Sequence, residues 1–303
     1  MRYQRFDLNL LGALRALLTT RSVTRAAESL HLSQSAMSGI LSRLRDYFDD
    51  PLIVQKGRRM ELTPLAESMV GKVNDLLLMV DATLGSTAEF DPAQSNRNFV
   101  LIASDYAIRI LLTNLLRSIA QEAPHVTFEF RHVTGVAYQE LESGEVDFII
   151  SPDWHETEGF ASCPLFEDNY LAVVDDANAS IGESISLEAY GASGHVVVDS
   201  RGVPMFDAWF EKEHPGLRRV HVRVPNFGLL PCMVVGTQYI ATMHARLAAQ
   251  ACEQFAVRAV PLEFQPPLFT ARLQWHKYRD RDPALMWIRH KLLEASDKLG
   301  PIV

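Results

Sequence analysis

Between Ser22 and Arg45 the sequence SVTRAAESLHLSQSAMSGILSRLR places apolar residues at the spacing of two short helices joined by a tight turn. Val23, Ala26, Ala27 and Leu30 recur at intervals of three and four, and Met37, Ile40, Leu41 and Leu44 repeat the pattern in the next segment, as one buried helical face requires. Leu11, Leu14, Leu17 and Leu18 form a third stripe ahead of them. Ser22 and Ser33 stand just before the second and third stripes, where a side-chain oxygen can accept a hydrogen bond from the unpaired amides of a first helical turn. A helix that turns Met37, Ile40 and Leu44 inward turns Ser35, Ser38, Gly39 and Ser42 outward, at about 100° per residue. That outer face is small and polar. Gly39 falls mid-helix, where glycine costs about 1 kcal/mol against alanine, which points to close approach by something outside the helix.

The spacing is that of a helix-turn-helix unit, whose second helix enters a groove of DNA. After Pro51, the run LIVQKGRRMELT reads as two short strands around Lys56, Gly57, Arg58 and Arg59, a cationic loop shaped like a wing. Residues 1–63 hold ten Lys and Arg against six Asp and Glu, a net charge of +4, while the whole chain is −8, so the remainder carries −12. Segregated charge of this kind assigns contact with a polyanion to the amino-terminal part. Gln34, Ser35, Ser38 and Ser42 are the candidate base contacts, and Arg43, Arg58 and Arg59 the candidate phosphate or minor-groove contacts. Thr24, Arg25 and Ser33, at the two helix starts, complete the candidate interface with double-stranded DNA.

Taken together, SxxxAAxxLxxSQSAMSxxLxRLR followed by PLI, GRRMELTPLA and the rest resembles the LysR-type bacterial transcriptional regulators. AMS at Ala36–Ser38, LRDYFDDPL at Leu44–Leu52 and WHKYRDRDPALMWIR at Trp275–Arg289 are similar to the branch of nodulation and aromatic-degradation regulators. The likeness runs from about Phe6 to Lys298. It departs from the usual pattern at Ile53, where Phe is common, and at Ser35, where Pro is common. The resemblance implies an α/β chain with three parts: a winged helix-turn-helix over residues 1–63, a dimerisation helix over 64–90 and a periplasmic-binding-protein-like effector domain over 91–303. The last would comprise subdomain I (about 97–165 and 266–300) and subdomain II (about 166–265), with the chain crossing near Phe166 and returning near Pro261–Pro267. It further implies a homodimer or homotetramer, with RNA polymerase as a further candidate partner.

The residues between these motifs fit that plan on their own terms. Thr63 and Pro64 open a helix with a capping hydroxyl and a proline at the first helical position. Leu65, Met69, Val73, Leu76, Val80 and Leu84 follow at spacings of three and four, the seam of a helix that pairs lengthwise with a partner. Two-fold DNA sites call for such pairing, on a pseudo-palindromic promoter site. From Phe99 onward, short apolar runs alternate with helical stripes, the pattern of parallel strands with crossover helices. Strands are expected at 99–103, 126–131, 146–150, 170–174, 195–198, 220–224, 239–243 and 269–275. Helices are expected at 108–121, 138–142, 204–213, 229–235, 245–252 and 283–298.

Ligands in open parallel sheets sit beyond the carboxyl ends of the strands. That rule selects Ser104, Asp105 and Tyr106 after the first strand, and His132, Thr134, Ser151 and Pro152 after the next two. In the second half it selects Asp199, Ser200, Asn226 and Phe227, with His276 from the final strand. Hydroxyls, rings and imidazoles in one cleft suit a small aromatic or phenolic effector.

Other classes find less support. No GxSxG, HExxH, GxGxxG or GxxxxGKS/T motif is present, so neither a hydrolase nor a nucleotide enzyme is expected, and no cofactor or metal is implied. A transport solute-binding protein would need export, and the amino terminus shows no signal peptide. No apolar run approaches the ~20 residues that span a bilayer, so the expectation is a cytoplasmic chain without membrane contact. Cys163, Cys232 and Cys252 are odd in number and widely spaced, and read as buried reduced thiols.

Overall fold

Each of the three amino-terminal stripes becomes a helix: α1 (Leu10–Thr20), α2 (Val23–Ser29) and α3 (Gln34–Phe48). The computed structural model describes residues 6–85, 90–153, 159–199 and 205–300. Leu14, Leu17, Ala26, Ala27, Met37 and Leu44 are all at most 2% exposed and share one core, against which Val23, Leu30 and Ile40 pack with partial burial. Burying a side chain the size of Leu or Met contributes roughly 1.5–3 kcal/mol, so this small core is enough to fix the head. Both predicted caps form. Ser22 Oγ accepts from the Arg25 amide at 3.4 Å, and Ser33 Oγ from the Ala36 amide at 3.1 Å.

The wing is a hairpin of β1 (Ile53–Lys56) and β2 (Arg59–Leu62), in register from Ile53 opposite Leu62 to Lys56 opposite Arg59. Its two-residue loop begins at Gly57, whose φ of +64° suits a residue without Cβ. Leu52 enters the hairpin with φ +61° and is 1% exposed. Asp50 holds it there, its Oδ1 accepting from the Leu52 amide at 2.7 Å and from Thr63 Oγ1 at 2.6 Å. Arg45 donates to the carbonyls of Pro51 and Ile53 at 2.8 and 3.2 Å, so this cation serves the fold. Thr63 Oγ1 also accepts from the Ala66 amide at 3.1 Å and caps α4 (Pro64–Gly85).

The predicted seam on α4 splits. Val73 and Met69 turn into the head's core together with Ala66, Val70 and Leu77, whereas Leu65, Leu76, Met79 and Val80 are 39–44% exposed. A helix has 3.6 residues per turn, so a run of this length presents apolar positions to two directions rather than one. Leu84 lies outside the residues whose side chains are described.

The second unit holds two five-stranded sheets. Along the chain come β3 (Asn98–Ile102), α5 (Asp105–Ala107), a π-helical segment (Ile108–Leu112), α6 (Thr113–Ile119), β4 (Thr127–Arg131), α7 (Ala137–Ser143) and β5 (Phe148–Pro152). β6 (Phe160–Asp168) completes this half and leads directly into β7 (Tyr170–Asp175). The other half continues with α8 (Leu187–Ala192), β8 (Gly194–Val198), α9 (Met205–Glu213), β9 (Arg219–Val224), α10 (Leu230–Val234), β10 (Tyr239–His244), α11 (Ala245–Gln254) and β11 (Val257–Val260). The chain then returns through β12 (Phe269–His276) and α12 (Pro283–Asp297). The strand orders are β4-β3-β5-β12-β6 and β11-β7-β10-β8-β9.

These sheets are mixed, not wholly parallel as the sequence pattern suggests. β3 pairs in parallel with β4 and β5, and β8 with β9 and β10, but β12 runs antiparallel to β5 and β6, and β7 antiparallel to β10 and β11. The antiparallel members are the strands by which the chain leaves one half and comes back. Three elements went unforeseen: β6, β11 and α8. β6 lacks a clean alternation and carries Pro164, accommodated on an edge strand by a register shift opposite Ala271 and Arg272. β11 is only four residues long. The cysteines also depart from expectation, since Cys232 and Cys252 are exposed and Cys163 is half-buried; the first two lie on the outer faces of α10 and α11.

The WHKYRDRDPALMWIR motif is structural. Asp282 caps α12, its Oδ1 accepting from the amides of Ala284 and Leu285 at 2.9 and 3.1 Å, and pairs with Arg97 at 2.8 Å. Arg279 pairs with the buried Asp147 at 2.8 Å, and Asp147 Oδ2 accepts from the Val100 amide at 2.8 Å. The guanidinium of Arg289 stacks 4.4 Å from the Trp275 ring. Burial alone would raise the Asp282 pKa, but the Arg97 hydrogen bonds and charge outweigh it and hold the carboxyl below its usual range. A depressed carboxylate stabilises the fold above its ordinary pKa and loses that contribution as pH falls through the folded value. Asp282→Ala should therefore lower the stability of the second unit by about 1–3 kcal/mol in neutral urea denaturation. Its deficit against the parent should shrink below about pH 4.

Candidate DNA interface and effector cleft

On α3 the residues divide by face as the periodicity requires. Met37, Leu41 and Leu44 are buried, while Ser33, Gln34, Ser35, Ser38, Gly39, Ser42 and Arg43 are exposed. A Cβ built on Gly39 meets nothing within 4 Å. No contact within the head therefore requires a glycine there, and the helix gives up propensity at that position with no packing gain. Ser33 and Ser35 hydroxyls lie 3.0 Å apart at the helix start, which leaves one polar cluster at its tip.

Thr24 and Arg25 are exposed on α2, and the Arg25 guanidinium donates to the Thr20 carbonyl. Arg43 pairs with Asp7 at 2.8 Å, and this hydrogen bond is the largest cause holding the Asp7 carboxyl below its usual range. In the wing, Lys56 pairs with Glu61 at 3.1 Å. Arg58 and Arg59 are exposed and, among the described residues, have no ion-pair partner. The wing tip thus holds two uncommitted guanidinium groups beside its hairpin loop.

In the second unit, the carboxyl ends of the parallel strands open on one cavity of about 790 Å³. Ser104, Asp105 and Tyr106 line it after β3, His132 and Thr134 after β4, and Ser151 and Pro152 at the end of β5. From the other half come Asp199 after β8, and Asn226 and Phe227 after β9. Ser200 lies outside the described residues.

His276 does not line this cavity. β12 is antiparallel to its neighbours, so its carboxyl end points to the opposite rim of the sheet from theirs. There His276 is 3% exposed, its Nδ1 accepts from the Tyr278 amide at 3.3 Å, and its ring faces Phe160. The residue that β12 brings to the cleft is Phe269, at its beginning.

Several lining residues are already committed to the protein. Ser104 Oγ accepts from the Ala107 amide at 3.2 Å, and Asn226 Oδ1 from the Leu229 amide at 3.2 Å, both as helix caps. Asp105 reaches across the cleft, its Oδ2 accepting from the Gly228 amide at 2.8 Å. It is therefore a clasp between the two halves as well as a wall of the cavity. Ser151 Oγ accepts from Gln274 Nε2 at 2.7 Å.

Sequence reasoning missed the cavity's inner wall. Tyr170, Asp207, Arg218, Thr242, His244 and Phe269 all line it. Arg218 pairs with Asp207 at 2.5 Å, beneath the aromatic rings of Phe206 and Phe210. His244 is 4% exposed and stacks on Tyr106 with ring centroids 3.8 Å apart and planes 5° apart. Burial pushes its imidazole pKa down to about 3, so the ring is neutral. The strand-end rule reaches His244 as directly as it reaches Ser104, since each follows an expected strand, 239–243 and 99–103, but the candidates selected by that rule do not include the end of this strand. Arg218 and Asp207 carry no such signal, since one precedes a strand and the other sits inside a helix.

The helix-turn-helix description of the LysR family of bacterial regulatory proteins matches residues 8–67, and the LysR substrate-binding-domain description matches residues 93–297. The chain is 36% identical over 301 residues to nodulation protein D 2 of Rhizobium leguminosarum bv. phaseoli, covering 99% of this chain and 95% of that protein. A probable transcriptional regulator from Pseudomonas aeruginosa superimposes with a TM-score of 0.63 at 31% identity, over 96% of this chain and 97% of that one. Full-length OxyR from the same species, at 17% identity, shares the fold with a TM-score of 0.75 over 95% of both chains. Among the described residues no helix is long and apolar enough to cross a membrane, and no cluster of His, Cys, Asp and Glu could hold a metal ion. With both halves of the family's architecture matched in order along nearly its whole length, the chain belongs to the LysR family of transcriptional regulators, which are DNA-binding proteins and not enzymes.

Proposed function

We propose that this regulator binds a pseudo-palindromic promoter site as a dimer and that a small aromatic or phenolic effector, held in the cavity of the second unit, modulates that binding. The observation that carries the DNA-contact assignment is Gly39. It is a helix-interior glycine on the exposed face of α3 with open space where its Cβ would be, flanked by Ser35, Ser38 and Ser42. A small-residue face lets the helix axis approach the base edges closely, and hydroxyls can bond to either donors or acceptors there. Arg58 and Arg59 supply phosphate or minor-groove contacts, which add affinity at every sequence. Thr24, Arg25, Ser33, Gln34 and Arg43 frame the same surface.

Leu65, Leu76, Met79 and Val80 on α4 fit a second copy of the same helix, whose two-fold axis would repeat the half-site spacing of the DNA. In the cavity, the rings of Tyr106, Phe227 and Phe269 and the aliphatic wall of Val196 and Val198 bury a flat ligand, while the polar strand ends orient it. The ligand acts only through a difference in affinity for two arrangements of the regulator. A coupling of about 1–3 kcal/mol would change promoter occupancy roughly 5- to 150-fold.

Two variants test the two halves of this reading. Gly39→Ala should raise the thermal stability of the head, by about 1 kcal/mol from helix propensity, yet weaken promoter binding in a mobility-shift titration. A variant equally good or better at both would show that α3 does not enter the groove. Asp105→Ala removes the clasp to Gly228 and should abolish response to effector in a promoter-reporter strain while leaving promoter affinity within about twofold, as expected when only the coupling between two sites is lost. Full induction of that variant would place the effector elsewhere.

A further inference from the structure

The cavity wall contains a buried side chain whose polar atoms the protein leaves without partners. Neither Nδ1 nor Nε2 of His244 has a hydrogen-bond partner among the described residues, and the same holds for Nε of Arg218. Both residues line the cavity. A buried polar atom without a partner costs about 1–3 kcal/mol, so such atoms persist in native proteins chiefly where a ligand or bound water completes them. Packing has not placed His244 there by default. Tyr106, Tyr170, Phe227 and Phe269 surround it with ring centroids 3.8–5.2 Å away, and a phenylalanine would fill such an aromatic box without the polar cost.

We propose that His244 is the specificity-determining contact of the effector cavity and that it reads an uncharged oxygen, a hydroxyl or a ketone carbonyl, on the ligand. This rests on the reading of the cavity as the effector site and adds the chemistry it selects. A neutral imidazole offers one donor and one acceptor, which a hydroxyl can answer in either sense. Neutrality follows from the surroundings: burial is the one cause of the fall in its pKa, and no carboxylate acts on the ring to restore the proton. The charges along the wall disfavour a carboxylate ligand. Asp105, Asp199 and Asp207 face the cavity, and Arg218, its one guanidinium among the described residues, is paired with Asp207. An incoming carboxylate would meet like charge, and the one guanidinium on the wall already carries the Asp207 carboxylate. An uncharged ring oxygen meets neither penalty.

Three probes that share a two-ring frame separate the possibilities: naphthol, methylnaphthalene and naphthoate, each substituted at the same carbon. Titration calorimetry of the full chain should show naphthol bound at least about tenfold tighter than either of the others, the discrimination expected of one buried hydrogen bond. His244→Phe should level naphthol with methylnaphthalene while leaving methylnaphthalene within about threefold of its parent affinity, a change of preference that loss of packing would not produce. Thermal melting checks that the variant folds; if it does not, His244→Leu is read in its place by the same ratio. A naphthol preference unchanged in the variant, or naphthoate bound tighter than naphthol by the parent, overturns the assignment of His244 while leaving the cavity as an aromatic site. No binding of any of the three to the parent overturns the cavity reading, and this assignment with it.

Discussion

The second unit turns on one buried carboxylate. Asp168 is fully buried at the point where β6 passes into β7, the first crossing between the halves. It accepts from the Tyr106 hydroxyl, which belongs to the first half, and from the amides of Asn169 and Arg246, the latter at the start of α11 in the second. Burial raises its pKa, and these three donors oppose the rise. A carboxylate taken out of water persists only when its lone pairs are satisfied in this way. The same bond fixes Tyr106, whose ring lies flat on His244. The pin between the halves and the inner wall of the cavity are thus one continuous set of contacts, so a ligand that moves the wall also acts on the crossing. A second bridge, from Asp105 to the Gly228 amide, closes the outer edge of the same cleft.

The head solves a different problem with fewer residues. Its core is small, and the strained entry to the wing at Leu52 is held by Asp50, which also joins the cap of α4 through Thr63. Arg45 is spent on backbone carbonyls of that turn, Arg43 on Asp7 and Lys56 on Glu61. Among the described residues, Arg58 and Arg59 at the wing tip stay unpaired and open to an external polyanion, beside the uncharged face of α3. Positive charge gives affinity without sequence information, and a polar face that fits a groove gives the reverse. The head keeps the two on separate elements.

Much of this was legible in the residues because local rules decided it. The three head helices, the serine caps, the hairpin and most of the strands follow from periodicity and turn chemistry. So did ten of the cavity's lining residues, since each parallel strand delivers its carboxyl end to the cleft. His276 shows where that rule stops. Strand direction is set by how the chain crosses between halves, a long-range property, and an antiparallel β12 sends its far end away from the cleft and offers Phe269 instead. Pro164 hid β6, because a proline in a strand is tolerated only at an edge or beside a bulge, and neither is visible locally. Arg218 and Asp207 met through packing of α9 against the segment entering β9. The stripe on α4 is legible as apolar, but its spacing does not reveal that Met69 and Val73 serve the head while Leu76 and Val80 face outward.

In the proposed function, a two-fold pair of these heads reads duplex DNA through α3. Selection of bound duplexes from a random pool by the full-length chain tests it most directly. The expected result is enrichment of two inverted half-sites whose centres lie about one helical turn, or a whole number of turns, apart. Recovery of no enriched sequence at low salt, or of a single half-site without its inverted mate, would contradict it.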